Sequence, residues 1–180
     1  MKHLQKLLFF LFTLTLGITV LACKPAVKEL TIPYTEMTWD NTLEDIKSTE
    51  GELLTSTASA YNGTTYMFEK EYLDVKGTVK YSFDENNTLK CVGWMYSSAS
   101  IDELESLYQR IHSETEKSYG KCDLDTTEST TQKKSSLKGN FWYLEDGNIQ
   151  LLLVYAGDNS VLQVQYVHPD VASENPNSAK

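Results

Sequence analysis

Acid–base or nucleophilic chemistry in this chain would have to come from very few residues. Of its three histidines, His3 lies at the extreme N-terminus, which leaves His112 and His168. His112 borders the apolar stripe of a predicted helix, and His168 precedes Pro169 at the end of a predicted strand. Neither has a partner at motif spacing, and a general base works only within hydrogen-bond reach of the proton it takes. A Cys–His nucleophile would need Cys91 or Cys122, and no context marks either thiol as activated. Structural zinc prefers closely spaced Cys and His, which are scattered here. Asp84, Glu85 and Asn86, and Asp123 with Asp125, supply oxygens, but neither cluster reproduces an EF-hand loop; polar-turn chemistry accounts for both. No Gly-x-Ser-x-Gly elbow, phosphate loop or dinucleotide fingerprint occurs. Neighbouring acids such as Glu44 with Asp45, or Glu103 with Glu105, read as solvated faces, and nothing selects two of them as a glycosidase pair. The expectation is a non-enzyme with no catalytic residue, cofactor or metal.

One residue does carry a specific chemical role. Lys2 and Lys6 precede an apolar run from Leu7 to Val20 that ends in Val20-Leu21-Ala22-Cys23. A membrane span needs about 20 apolar residues to cross ~30 Å of hydrocarbon, so this run fits the h-region of an export signal better. The small residue Ala22 directly before Cys23 resembles a lipobox, which implies cleavage before Cys23 and acylation of its thiol. Two acyl chains anchor stably where one is marginal. Residues 1–22 are therefore read as a lipoprotein signal peptide, and the mature chain as held at the extracytoplasmic face of the cell membrane through Cys23.

The chain has a formal charge of −9, and no acid precedes Cys23, so the mature protein is more acidic still. Neutralising phosphates takes clustered Lys and Arg, whereas the densest basic spot is Lys133-Lys134 near Lys138; a nucleic-acid partner is not expected. With 180 residues and 41% hydrophobic content, the mature chain has the size and apolar content of one domain with a real core. Cys91 and Cys122 form an exported pair that could bridge, but Cys91 lies in a strand pattern and Cys122 follows a helix, so spacing does not place them within reach.

The elements follow from periodicity and caps. Residues 23–38 have scattered apolars and two prolines without a period, and read as a tether. Thr42-Leu43-Glu44-Asp45 has capping-box spacing; Leu43 and Ile46 give a short helix an apolar edge, and Gly51 stops it. Ser100-Ile101-Asp102-Glu103 opens a second helix, with Ile101, Leu104, Tyr108, Ile111, Thr115 and Tyr119 at helical spacing and Gly120 as its stop. Strands are predicted over Tyr61–Tyr72, Thr78–Phe83, Leu89–Tyr96, Phe141–Leu144, Ile149–Tyr155 and Val161–Val167. Gly93 is read as a bulge where the apolar phase changes, and residues 123–138 as an exposed loop or irregular edge.

The resulting expectation is an α+β domain over 39–170, an antiparallel sheet of about six strands backed by two helices, followed by a disordered tail over 171–180. Val79, Tyr81 and Phe83 can be laid on Ile149, Leu151 and Leu153, an echo that fits duplication of a helix-then-three-strand unit. Tyr66, Phe68, Trp94, Tyr96 and Trp142 lie on predicted strands. Those facing away from the helices would form a recognition surface, since Tyr and Trp give large contact area at low entropic cost; the competing reading is core, because a small antiparallel domain needs large residues to fill it. The functional expectation is a binding module for a protein or cell-envelope component. The alternative is a small-ligand carrier feeding a transporter, which requires an apolar pocket.

The lipobox, the segment Trp39-Asp40-Asn41-Thr42-Leu43-Glu44-Asp45-Ile46-Lys47, the strand Gly77-Thr78-Val79-Lys80-Tyr81-Ser82-Phe83-Asp84 and the helix end Ser118-Tyr119-Gly120 together resemble uncharacterised exported lipoproteins of Gram-positive, Clostridia-like gut bacteria. The resemblance covers most of the mature domain and implies surface anchoring. The helix-then-sheet order is also similar to inhibitor-like domains that bind proteins on a concave sheet, a likeness of architecture alone.

Overall fold

The computed structural model describes residues 30–130, 135–156 and 160–176, the side chains of 127–130 and 135–136 excepted. The expected signal peptide, Cys23, residues 24–29, the Lys133-Lys134 pair, most of the turn at 157–160 and the last four residues lie outside them. Two helices, α1 (Leu43–Glu50) and α2 (Ile101–Tyr119), accompany eight strands: β1 (Leu53–Ala58), β2 (Asn62–Tyr72), β3 (Val75–Asp84), β4 (Leu89–Ser97), β5 (Leu124–Thr130), β6 (Ser135–Leu144), β7 (Gly147–Tyr155) and β8 (Val161–Val167). All pair antiparallel in one sheet of order β1-β2-β3-β4-β8-β7-β6-β5. Each half of the chain is thus a helix followed by a four-stranded meander, and the halves join where β4 pairs with β8. The sheet has eight strands rather than about six, and the repeating unit holds four strands rather than three.

The two additional strands are the sheet's edges. All six residues of β1, Leu-Leu-Thr-Ser-Thr-Ala, are exposed, and β5 is Leu-Asp-Thr-Thr-Glu-Ser-Thr. An edge strand can be held by backbone pairing on one side alone, so it need not show the alternation that marks a half-buried strand. Pairing with β5 likewise carries β6 back to Ser135, well before the apolar Phe141 where periodicity begins.

Caps fix the helices locally. Thr42 Oγ1 accepts from Asp45 N at 3.3 Å, and Thr42 N donates to Asp45 Oδ2 at 2.8 Å, a complete capping box. At α2 the box is half formed: Ser100 Oγ accepts from Glu103 N, while the Glu103 carboxylate turns to Tyr96 and Ser98. Gly51 and Gly120 both cap with φ of +85°, a left-handed conformation open to glycine at little cost. α1 sinks Ile46 completely, and α2 buries Leu104, Leu107, Tyr108, Ile111 and Thr115 against the sheet. Leu107 joins the stripe that spacing assigned, and Ile101 is 45% exposed, beyond the sheet's reach.

The expected tether is part of the domain from Leu30 onward. Ile32 and Tyr34 are buried, and the Tyr34 hydroxyl is shared between the carbonyls of Val92 on β4 (3.2 Å) and Val164 on β8 (3.3 Å). Its ring packs edge-on against Tyr72 and Tyr166, and burial raises its pKa well above the ordinary tyrosine value. This segment closes the seam between the two halves. Burial alternates along it, with Leu30, Ile32 and Tyr34 turned to the core and Thr31 and Pro33 exposed, but the run is short and carries a proline, so the alternation does not stand out in the sequence. The expected disordered tail is also ordered over 171–176: a short 3₁₀ turn, Pro169–Val171, leads to Ser173, whose carbonyl accepts from Asn148 Nδ2 at 2.8 Å.

The register break in β4 falls at Lys90, where Phe83 pairs Leu89 but Ser82 pairs Cys91. Gly93 keeps regular register between Lys80 and Gln165, so it is no bulge. Trp94 and Trp142 take matching roles: each indole is buried and donates to a backbone carbonyl, Lys70 O and Gly120 O respectively, both at 2.9 Å. Satisfying the indole N–H lets so large an apolar body stay inside without an orphan donor.

Candidate binding face of the sheet

Strand alternation divides the predicted recognition residues from the surface. Phe68 pairs Val79, Val79 pairs Trp94 and Trp94 pairs Val164, one continuous row beneath the helices. Phe68 and Trp94 are 0% and Trp142 1% exposed, so these three are core and not a recognition surface. Tyr66 is half-buried on the same face, edge-on to Phe83, and Tyr96 stacks on Trp94 and donates to Glu103 at 2.8 Å. The physical reason is volume: two helices cannot fill the space over eight strands without large side chains from the sheet itself.

The intervening positions form the other face, over whose centre no described element lies. Its central row runs Phe141, Gln150, Gln165, Gly93, Lys80, Met67; the next runs Gly139, Leu152, Gln163, Met95, Thr78, Glu69. Toward one end a third row is closed over. Asn148, Val167, Cys91, Ser82 and Thr65 are buried there, Thr65 and Ser82 exchange a hydroxyl hydrogen bond of 2.9 Å, and the Cys91 thiol donates to Gln165 Oε1 at 3.5 Å. Across these three rows, among the described residues, Lys80 and Glu69 are the only charged side chains. Spacing could not reveal this face, because its residues are individually ordinary and only the register assembles them.

The remaining chemistry-bearing residues are engaged structurally. His112 stacks on Tyr108 and meets the Trp142 ring at a tilt of 51°. His168 Nδ1 accepts from Asp170 N at 3.1 Å, its ring meets Trp39 edge-on, and burial lowers its pKa. Asp84 Oδ1 accepts from the backbone of Asn86 and Thr88, both at 2.9 Å, a polar turn. No group of three or more His, Cys, Asp or Glu is placed to hold a metal ion among the described residues. Cys91 and Cys122 are free thiols. Cys91 lies in the closed-over row on the side of the sheet away from the helices, whereas Cys122 accepts from Asn140 Nδ2 on the helix side at 3.4 Å; the sheet stands between them. Burial pushes the Cys91 thiol up to about 11.

Two further features lie along the N-terminal segment. Glu50, its side chain 1% exposed, accepts from Lys70 Nζ (2.8 and 3.1 Å), Tyr81 Oη (2.6 Å) and Thr35 Oγ1 (3.1 Å). Those bonds tie α1, β2, β3 and the seam segment together. A half-open cleft of about 500 Å³ lies between the seam segment, the β2–β3 turn and α2, with Pro33, Tyr72, Leu73, Glu114, Ser118 and Tyr119 among its lining. Comparisons with protein-family models, with curated proteins and with solved structures found no match.

Proposed function

We propose that this chain is a membrane-anchored, extracytoplasmic binding module, tethered through acylated Cys23 after removal of residues 1–22, that docks a protein or cell-envelope component on the uncovered face of its sheet. The reading is one of binding and involves no catalytic step. The observation that carries it is the composition of that face: among the described residues its two open rows hold only Lys80 and Glu69 as charged side chains, with Met67, Met95, Leu152, Phe141 and Tyr143 half-buried on or beside its centre. Depletion of charge with enrichment of Met and aromatics is the signature of an interface core. The helix-then-four-strand repeat supports an origin by duplication, with the β4–β8 junction putting both halves into one continuous surface. With Cys23 only seven positions before Leu30, and at most ~3.5 Å gained per residue, the anchor would hold this surface close to the bilayer.

A photo-crosslinking residue placed at Leu152 or Met95 in membranes of the producing cell should capture a defined partner that a probe at Gln109, exposed on α2, does not. Identical adducts from both positions would refute the sheet-face reading. The cleft supports a second reading, a small-ligand carrier feeding a transporter, because its walls are largely apolar and aromatic. Native mass spectrometry of protein purified gently from its own membrane should then show a bound small molecule that Leu73→Trp excludes; an unliganded mass would rule it out.

A further inference from the structure

We propose that the centre of the uncovered face is an anion-accepting subsite, in which Lys80 receives an Asp or Glu side chain from a docked protein segment whose flanking residues are apolar. The inference rests on the sheet-face reading above and gives that surface a chemistry. Lys70, Lys90, Arg110, Lys117 and Lys138 each lie within 4.0 Å of a carboxylate. Among the described residues, exposed Lys76 on β3 has no such partner either, but of the four sheet lysines that are buried or half-buried, Lys70, Lys80, Lys90 and Lys138, Lys80 alone lacks a carboxylate: its hydrogen bond goes to the neutral amide oxygen of Gln163 on β8. In a chain with net charge −9, a half-buried ammonium left without a carboxylate is conspicuous, since burial penalises a charge that has no opposite charge beside it.

The lysine is also held in place. It crosses β4 directly above Gly93, where an added Cβ would stand 2.6 Å from Lys80 Cε and 3.2 Å from Cγ. Any larger residue at 93 would lift the side chain off the sheet. Lying flat, the stem is pinned between β3 and β8 and its ammonium is presented at the centre of the face, so less rotamer freedom remains to be lost on binding. Burial already lowers the Lys80 pKa, the direction expected where an ammonium lacks a compensating charge. Around it, Met67, Met95 and Leu152 supply apolar surface that would exclude water from a seated carboxylate.

The test is selection of a random ten-residue peptide library, displayed on phage, against the intact protein in detergent micelles. Peptides competed off by Leu152→Asp define binders of the face. The expected consensus is one Asp or Glu between apolar residues. Lys80→Gln, and separately acid-to-amide replacement in the peptide, should each weaken binding by about tenfold or more, with no further loss when the two are combined; Lys80→Arg should retain binding. Face-binding peptides that lack an acid and ignore Lys80→Gln would overturn the anion subsite while leaving the sheet-face reading intact. Selected peptides that ignore Leu152→Asp altogether would overturn both. The combined-variant comparison is read on the peptide side as well, so it does not depend on any one protein variant folding normally.

Discussion

Replacing Lys70 with methionine should destabilise the domain by about 3 kcal/mol at neutral pH. Among the described residues the ammonium is the only cation on the Glu50 carboxylate, which is 1% exposed and otherwise served by the Tyr81 and Thr35 hydroxyls. Removing one partner of a fully buried pair costs roughly 3–5 kcal/mol because the other charge stays inside uncompensated. Lys70 itself is 26% exposed, so water already screens part of the attraction, which places the expectation at the lower end. For a domain of this size that loss lowers Tm by roughly 6–12 °C. Urea unfolding followed by tryptophan fluorescence is a suitable assay, since Trp94 donates its indole N–H to Lys70 O and reports the same region. The double variant Glu50→Leu with Lys70→Met should recover most of the loss, because it removes both charges and leaves the Tyr81 hydroxyl its 2.8 Å contact to Thr35. A loss below about 1 kcal/mol, as for an exposed pair, or a double variant no better than the single, would refute the reasoning.

Four other outcomes are expected. Gly77→Ala should cost about 1–3 kcal/mol by overpacking, because its Cβ would meet the Trp94 ring at 2.5 Å and Met95 O at 2.6 Å; thermal melts check it, and an unchanged Tm would show that the indole can give way. Iodoacetamide at pH 8 should label Cys122 well before Cys91, whose thiol is buried and pushed up to about 11. Because that folded value is raised, the stability it contributes is present below the ordinary thiol pKa and lost as pH rises from about 8.5 through about 11; Cys91→Ala should flatten alkaline unfolding in that window, measured by urea midpoints against pH. Cys23→Ala should abolish incorporation of labelled palmitate and release the protein from the membrane fraction; retention of both would sink the proposed anchor.

The helices were legible because their determinants are local. Thr42 to Asp45 and Ser100 to Glu103 cap within one turn, and Gly51 and Gly120 end each helix by their own conformation. The six inner strands were legible wherever alternation survived, as in Val79, Tyr81 and Phe83. β1 and β5 were hidden because their stabilisation is backbone pairing with β2 and β6, which leaves no mark on composition. The seam segment was hidden for a related reason: Tyr34 is ordered by carbonyls 58 and 130 residues away.

The division is sharpest for the aromatics and for Lys80. By itself the sequence determined the net negative charge, the α+β class and the fact that large side chains alternate along the strands, all properties of composition and near-neighbour spacing, and it carries the lipobox-like run on which the proposed anchor at Cys23 rests. Which of two alternating sets would meet the helices is a question of register and layer packing, and only the tertiary structure decided it. Trp94 and Phe68 went inside because the volume between helices and sheet had to be filled. Lys80, the residue between Val79 and Tyr81, was thereby turned to the opposite face, where Gly93 from the neighbouring strand makes room for it. Strand alternation made those two placements a single choice.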